Sequence, residues 1–315
     1  MIFGEQSIKK MSDFSFKEES ERGQEQKESN NKYGLVSKLR DEKYFTDSKI
    51  SKKAESMLPV LETHNKIVEK YLAEIIEPML KRKEITFDES VIATIAGMLH
   101  DAGKLNSELL EHHQKSSEYA QDVLDQITKK KIKINQVDLS KSIQVDKKII
   151  PIKEKIKQAI ERHMNHPFLV AINNGQRFPN PQDNIDKIVF DADMLANIGF
   201  KNIAFKLIDL DRTKKDKEIA EQKKISYIQA VFDDVINAEG TGVKELSKIV
   251  LTKQGKTRAK ELIEQVTQIY NNLDFTTIQK RINNEKLDAQ AIKKLLNEEI
   301  KRAGKQFSNI DDFIM

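Results

Sequence analysis

Apolar side chains recur with the period of an α-helix through most of the chain beyond residue 50. Breaks at Pro78, Gly103 and Pro167 indicate where successive helices end. The helix over residues 255–273 has a continuous apolar face that consists of Ala259, Leu262, Ile263, Val266, Ile269, Tyr270 and Leu273. Because no alternation of apolar and polar residues is long enough to predict a strand, the fold class that we predict is all-α.

The same pattern divides the chain into three parts. Residues 1–50 carry twenty charged side chains and little apolar periodicity, so we predict a disordered or weakly helical segment there. Residues 51–273 are predicted to form a helical domain with a basic insertion at 129–151, and residues 274–315 a charged helical tail. The stretch 129–157 contains ten lysines against three acidic residues, and we expect the insertion to be solvated. It could also shape the rim of a pocket.

Composition narrows the chemistry that this chain can perform. It contains no cysteine, which excludes disulfides and thiolate ligation of a metal. No run of eighteen apolar residues is present, and the N-terminus lacks the apolar core of a secretory signal, so we expect a cytoplasmic protein without a membrane partner. The net charge of +4 is small for 315 residues, and we do not expect nucleic acid as a partner.

Histidines and aspartates fall on the apolar, inward faces of successive predicted helices. One such histidine is most often a hydrogen-bonded core residue. Several together would carry a large desolvation cost unless they share a cation, which binds neutral imidazoles and carboxylates. The set consists of His64, His100, Asp101, His113, His163 and Asp193. Asp191 is an alternative to Asp193, and His112 is predicted to point outward and be exposed.

The order and context of these residues resemble the HD-domain phosphohydrolase superfamily. The segment His100-Asp101-Ala102-Gly103-Lys104 matches the form His-Asp-small-Gly-Lys, and a lone histidine, His64, precedes it on an earlier helix. The segment from His113 to Ala120 is similar to the superfamily's second-metal segment. Residues 192–197 resemble its Ala-Asp-Arg-Leu-x-Asn motif, with Met194 in place of the arginine. The resemblance covers residues 58–273 and implies a helical bundle with an extra C-terminal helical segment.

The resemblance also implies roles for individual residues. His64, His100, Asp101 and Asp193 would hold a first metal. His113 and His163 would hold a second, with Asp101 bridging the two, although either histidine could instead donate to a substrate phosphate. Asp101 and Lys104 are the expected catalytic residues.

Several further residues are candidates for contacts around the metal. Lys104 could bind a phosphate oxygen or be a solvated surface lysine, and Arg162 and Arg177 are further candidates for phosphate contact. His166 could donate a proton to the leaving group, but we favour a helix-end role before Pro167. Asn197 is expected to orient the Asp193 carboxylate.

These residues together predict a metal-dependent hydrolase of phosphate esters or anhydrides, acting on a small phosphorylated substrate such as a nucleotide. One or two ions of Mn²⁺, Fe²⁺, Co²⁺ or Mg²⁺ would be the cofactor, and imidazole ligands favour the transition metals. Two alternatives stay open: a cyclic nucleotide or cyclic dinucleotide phosphodiesterase, and a non-catalytic scaffold that binds nucleotide, RNA or protein. The superfamily's Gly-Tyr-Pro motif is absent, with Arg177-Phe178-Pro179 the nearest sequence. A homodimer through the helix 255–273 is a further expectation.

Overall fold

The structure, a computed structural model, describes residues 36, 38–40, 52–104, 107–200, 203, 218, 221, 226–239 and 242–314. The prediction for residues 1–50 therefore falls almost entirely outside the described part. Within that part Val36 and Leu39 are buried, and Arg40 donates to the carbonyl oxygen of Met98 at 3.0 Å. This short piece therefore packs against the helical core.

The described chain is mostly helical, which confirms the all-α prediction. The helices and strands are α1 (Lys52–Lys81), α2 (Phe87–Leu99), α3 (His112–Lys129), β1 (Ser142–Val145), β2 (Lys148–Pro151), α4 (Ile152–Glu161), α5 (Pro167–Ile172), α6 (Asn184–Ala196), α7 (Tyr227–Asn237), α8 (Val243–Ile249), α9 (Lys253–Asn272), α10 (Phe275–Glu285) and α11 (Ala289–Ala303). A 3₁₀ turn over Ile310–Asp312 follows. None of the helices that can be described combines the length and the hydropathy that crossing a membrane requires.

Helix α6 lies at the centre of the fold and packs against α1, α2, α4 and α9. Its residues from Ile188 to Ala196 are all buried, so this helix is enclosed by the others rather than lying on the surface. Helix α2 is similarly enclosed, and its start is fixed by a capping box in which Thr86 and Glu89 bind each other's backbone amides. Two enclosed helices give the site residues that they carry a rigid support.

The basic insertion contains a β-hairpin that the sequence did not predict. Strands β1 and β2 pair antiparallel, with Gln144 opposite Ile149. The hairpin connects the end of α3 to the start of α4, and α3 is 18 residues long, or about 27 Å. The site described below is built at the start of α3 and the end of α4, which are the ends of these two helices that lie away from the insertion. The insertion therefore does not form the rim of that site, although the sequence had left this possible.

The C-terminal segment packs into the same hydrophobic core as the preceding helices. The backbone amide of Phe200 donates to the carbonyl oxygen of Phe313 at 3.0 Å, and the Phe313 side chain is fully buried. Residues from α10 and α11 also join this core, among them Phe275, Ile278, Leu295, Leu296 and Ile300. The apolar face of α9 is likewise occupied within the chain, since Leu262, Val266 and Ile269 are fully buried.

Asp191 fixes the start of α9. Its carboxylate accepts hydrogen bonds from the amides of Leu251 and Thr252, at 2.8 and 2.7 Å, and from Thr252 Oγ1 at 2.6 Å. Thr252 in turn caps α9 by accepting from the amide of Gly255. Asp191 is therefore a structural residue that joins α6 to α9.

We predict that Asp191→Ala lowers the free energy of unfolding by about 2–4 kcal/mol, because two backbone amides lose their acceptor in the protein interior. Urea denaturation followed by circular dichroism would measure the change. Glu298→Ala, at an exposed position of α11, is the control, with an expected change within about 0.5 kcal/mol. Equal effects of the two substitutions would contradict the role of Asp191.

Candidate metal centre

Five separate elements bring histidine and aspartate side chains to one buried point. His64 comes from α1, and His100-Asp101 from the end of α2. The remaining residues are His112, the first residue of α3; His163, two residues after α4; and Asp193 of α6. Three overlapping groups have ligand atoms that lie within 4.8 Å of one another: His64, His100 and Asp101; His100, His163 and Asp193; and Asp101, His112 and His163.

The backbone fixes the tautomers of three of these histidines. Nδ1 of His100 lies 2.7 Å from the carbonyl oxygen of Gly97, and Nδ1 of His112 lies 2.6 Å from that of Leu109. Nδ1 of His163 makes the same contact with Ile160. A carbonyl oxygen can only accept, so each Nδ1 carries a hydrogen and each neutral ring has its lone pair on Nε2. These Nε2 atoms face the cluster, and metal ligation requires that lone pair.

The Asp101 carboxylate lies between two pairs of histidines. Its Oδ2 atom is 3.6 Å from His64 Nε2 and 3.5 Å from His100 Nε2. Its Oδ1 atom is 3.3 Å from His112 Nε2 and 3.8 Å from His163 Nε2. Each oxygen therefore faces a different pair of imidazoles.

Asp193 completes the first of these pairs. Its Oδ1 atom is 3.1 Å from His64 Nε2 and 3.7 Å from His100 Nε2. Asn197, one helical turn later, donates to that same oxygen at 3.0 Å and to the backbone carbonyl of Asp193 at 2.8 Å. The expected role of Asn197 in orienting this carboxylate is therefore seen directly.

Electrostatics favour the ligand forms of both aspartates and of His64 and His163, and burial lowers the pKa of His64. At His100 burial would lower the pKa, but Asp101 and Asp193 outweigh it and raise the pKa, so a cation competes with a proton for this imidazole. Burial alone would raise the pKa of Asp101, but the charges of His100 and Lys104 outweigh it and hold the pKa well below its usual value. Asp193 behaves in the same way, with His100 and His64 opposing the effect of burial. Burial lowers the pKa of His163 to about 3, so its imidazole is neutral near pH 7.

A buried charge network holds α4 against the start of α6. Lys155 of α4 is completely buried and pairs with Asp186 and, at 2.6 Å, with Asp183, the N-cap of α6. Arg162 pairs with the other oxygen of Asp186 at 2.7 Å. Because His163 directly follows Arg162, this network fixes His163 relative to Asp193. It also gives Arg162, one of the candidates for phosphate contact, a structural partner.

The other candidates differ in how close they lie to the cluster. Lys104 is half-buried, and its Nζ atom binds Asp101 Oδ2 at 2.8 Å. His166 is buried, and burial lowers its pKa to about 4. Arg177 is exposed on the loop after α5. Asp191, the alternative to Asp193, binds Leu251 and Thr252 instead.

The structure places His112, rather than His113, in the cluster. His112 was predicted to be exposed, but it is 2% exposed, and its Nε2 atom lies 3.3 Å from His163 Nε2. The ring of His113 packs edge-on against Phe178, with 5.4 Å between the ring centroids. The reason is that the buried face of α3 is broad enough to include both residues. His112 shares its stripe with Ser116, which binds the amide of Gly103 at 2.9 Å and so faces the turn that follows Asp101.

The donor set fits a divalent cation. The Nε2 atoms of His64 and His100 are buried and have no hydrogen-bond partner among the residues that the structure describes, although such atoms are normally satisfied. All the potential ligand atoms are imidazole nitrogen or carboxylate oxygen, which suits divalent transition metals. A shared cation would satisfy both orphaned nitrogens and the two buried carboxylates.

Comparisons of the chain with protein-family models, curated proteins and solved structures find no match.

We predict that His112→Ala weakens binding of Mn²⁺ or Co²⁺ to this cluster by at least about tenfold, since loss of a ligand costs no less than loss of an outer-shell partner. His113→Ala, which removes the neighbouring imidazole, should leave the affinity unchanged. Titration calorimetry on protein stripped of metal would measure both. A larger effect of the His113 substitution would restore the sequence-based assignment.

A second prediction concerns Asn197. Replacing it with Ala removes the amide that holds Asp193 Oδ1, and the affinity for the cation should fall by about 10–100-fold. Asn197→Asp keeps the size of the side chain but places a second negative charge beside Asp193, and it should not rescue the loss. Unchanged affinity in Asn197→Ala would show that the helix alone positions Asp193.

Proposed function

We propose that this chain is a metal-dependent hydrolase that cleaves a phosphate ester or anhydride of a small molecule, with a nucleotide as the favoured substrate. The observation that carries the proposal is the position of the Asp101 carboxylate, one oxygen towards His64 and His100 and the other towards His112 and His163. A buried carboxylate with imidazoles on both sides suits a pair of cations better than a structural core, where each group would need its own hydrogen-bond partner.

Two cation positions follow from this arrangement. His64, His100, Asp193 and Asp101 Oδ2 would hold the first cation, and His112, His163 and Asp101 Oδ1 the second. Mn²⁺, Fe²⁺ and Co²⁺ suit imidazole-rich ligation better than Mg²⁺ does. Divalent cations bound there would supply an acidified water as nucleophile and neutralise charge on the phosphoryl group.

The residues of this chain prepare the site in three ways. The ionised Asp101 and Asp193 compensate the positive charge that a cation brings into the interior. The backbone carbonyls of Gly97, Leu109 and Ile160 keep the imidazole rings oriented before any ligand arrives. These side chains are thus oriented before the substrate binds, which reduces the free energy needed to reorganise them during the reaction.

Solvent reaches the site from one side. The side chains of His64 and Asp193 are 10% and 11% exposed, and that of Lys104 is 26% exposed, whereas His100 is completely buried. A substrate would therefore approach past Lys104, whose ammonium can bind a non-bridging phosphate oxygen. The order of the histidines and aspartates along the chain supports a place in the HD-domain superfamily, with His112 in the position that we had given to His113.

The test is hydrolysis by the purified protein, with and without Mn²⁺, of nucleoside triphosphates, nucleoside monophosphates and cyclic nucleotides. We predict metal-dependent release of phosphate, and a loss in kcat/KM of at least about a hundredfold in Asp101→Asn, since loss of an outer-shell partner alone costs 10–100-fold. Asp125→Asn, which changes a surface carboxylate paired with Lys153, is the control and should retain activity.

The possible outcomes separate the alternatives. Cleavage of cyclic substrates alone would assign a phosphodiesterase. Metal binding without hydrolysis of any of these substrates, or with full activity in Asp101→Asn, would contradict the proposal and favour a binding scaffold. Elemental analysis of the same preparation would count the ions per chain.

A further inference from the structure

The insertion between α3 and α4 presents an unusual set of lysines. Seven lysines there are exposed, and none forms an ion pair with any residue that the structure describes. They are Lys129, Lys130, Lys131, Lys133, Lys141, Lys147 and Lys148. Elsewhere in the described chain, some exposed lysines, such as Lys81 and Lys248, pair with a glutamate on the same helix, and others, such as Lys244 and Lys260, form no ion pair. The insertion differs in density, because its seven lysines lie within residues 129–148. The insertion thus carries an excess of positive charge, with these seven lysines against two aspartates, Asp138 and Asp146, within residues 129–151.

This segment is an ordered surface. Asp146 and Lys147 have φ angles of 47° and 67°, which form the tight hairpin turn between β1 and β2. Asn135 and Gln136, with φ angles of 45° and 69°, form a second tight turn. Four buried apolar residues anchor the segment to the core, namely Ile134, Val137, Leu139 and Val145. The backbone that carries the lysines is therefore held in a fixed arrangement, which lowers the backbone entropy lost when the segment binds a partner.

On the exposed face of the hairpin, the side chains in the middle are uncharged and those at the two ends are lysines. Gln144 and Ile149 are paired across the strands, both are exposed, and Ile149 is 78% exposed. Lys141 precedes β1, and Lys147 and Lys148 lie at the turn. A short ribbon thus has an amide and an aliphatic side chain at its centre and ammonium groups at its ends.

The small net charge of the whole chain gave no expectation of a nucleic-acid partner, but the local excess of lysines changes that expectation. We propose that the β1–β2 hairpin, with the lysines that precede it at 129–141, binds duplex DNA. A two-stranded ribbon fits the major groove of B-form DNA, where glutamine can pair with adenine and an aliphatic group can contact the thymine methyl. The surrounding lysines are placed to neutralise the phosphates on either side of the groove. This inference does not depend on the proposed hydrolase activity, because the hairpin lies at the opposite end of α3 and α4 from the histidine cluster.

Two other anionic partners, a lipid bilayer and duplex RNA, fit this surface less well than duplex DNA does. An anionic bilayer would attract the lysines, but it offers no partner for the Gln144 amide, and Ile149 is the sole large hydrophobic residue exposed on the described insertion that could enter it. Duplex RNA has a deep, narrow major groove that side chains cannot read. The observations therefore favour DNA.

The experiment is fluorescence anisotropy of a short labelled DNA duplex titrated with the full chain over a range of salt concentrations. Lys129, Lys130, Lys133, Lys141 and Lys148 are replaced together by Gln, which avoids the lysines at positive φ. We expect at least about a tenfold loss of affinity, and a slope of log K against log salt that is shallower by about 0.9 for each lost phosphate contact.

The matched control removes five exposed lysines from α8, α9, α10 and the C-terminal segment. It replaces Lys244, Lys253, Lys260, Lys280 and Lys305 by Gln. This variant has the same net charge and should bind DNA as the parent chain does. Circular dichroism and metal affinity of both variants would verify that the fold and the histidine cluster are unchanged.

Ile149→Ala and Gln144→Ala provide a second test that does not alter charge. Either substitution should weaken binding to the duplex several-fold without changing the salt slope. The proposal would be overturned by a parent chain that does not bind the duplex, by an equal loss in the control variant, or by tighter binding to an RNA duplex or to vesicles of anionic lipid.

Discussion

The position of the Asp101 carboxylate is the constraint on which the rest of the site depends. This side chain is 1% exposed and carries a negative charge, and burial of an uncompensated charge is costly. The compensation comes from Lys104 and from imidazoles that four different elements supply. Those elements can meet only because α6 and α2 lie enclosed in the core, with α1, α3 and α4 around them. Burial of the Asp101 charge therefore depends on how five helices, α1, α2, α3, α4 and α6, pack together.

Much of this site could be predicted from the sequence. His64, His100, Asp101, His163 and Asp193 were chosen because they share apolar helical faces, and the fold brings all five together. Such faces are informative because a polar residue on a buried stripe has to find a partner there. The choice between Asp191 and Asp193 also followed from the helical phase. Asp191 is completely buried as well, but on the side of α6 that faces α9.

The remainder could not be predicted from local pattern. His112 and His113 both lie on the buried face of α3, and tertiary packing at the start of that helix decides which one turns towards Asp101. The hairpin of the insertion has four-residue strands, and its turn residues, Asp146 and Lys147, are not the Asn-Gly or Asp-Gly pair that predicts such turns. Lys155 lies in a lysine-rich stretch of the sequence, and no local pattern distinguishes it from its neighbours. Its burial depends on Asp183 and Asp186, which lie 28 and 31 residues further along the chain.

The backbone carbonyls that orient His100, His112 and His163 have a consequence for how this chain can evolve. Each carbonyl lies three residues before its histidine and belongs to the peptide, not to a side chain. Replacing the side chain that stands at such a position leaves the acceptor in place. Mutational drift can therefore proceed at the exposed Leu109 while the orientation of His112 is inherited unchanged. At Gly97 an added Cβ would collide with Leu72, and Ile160 is a buried core residue, so packing constrains those two positions.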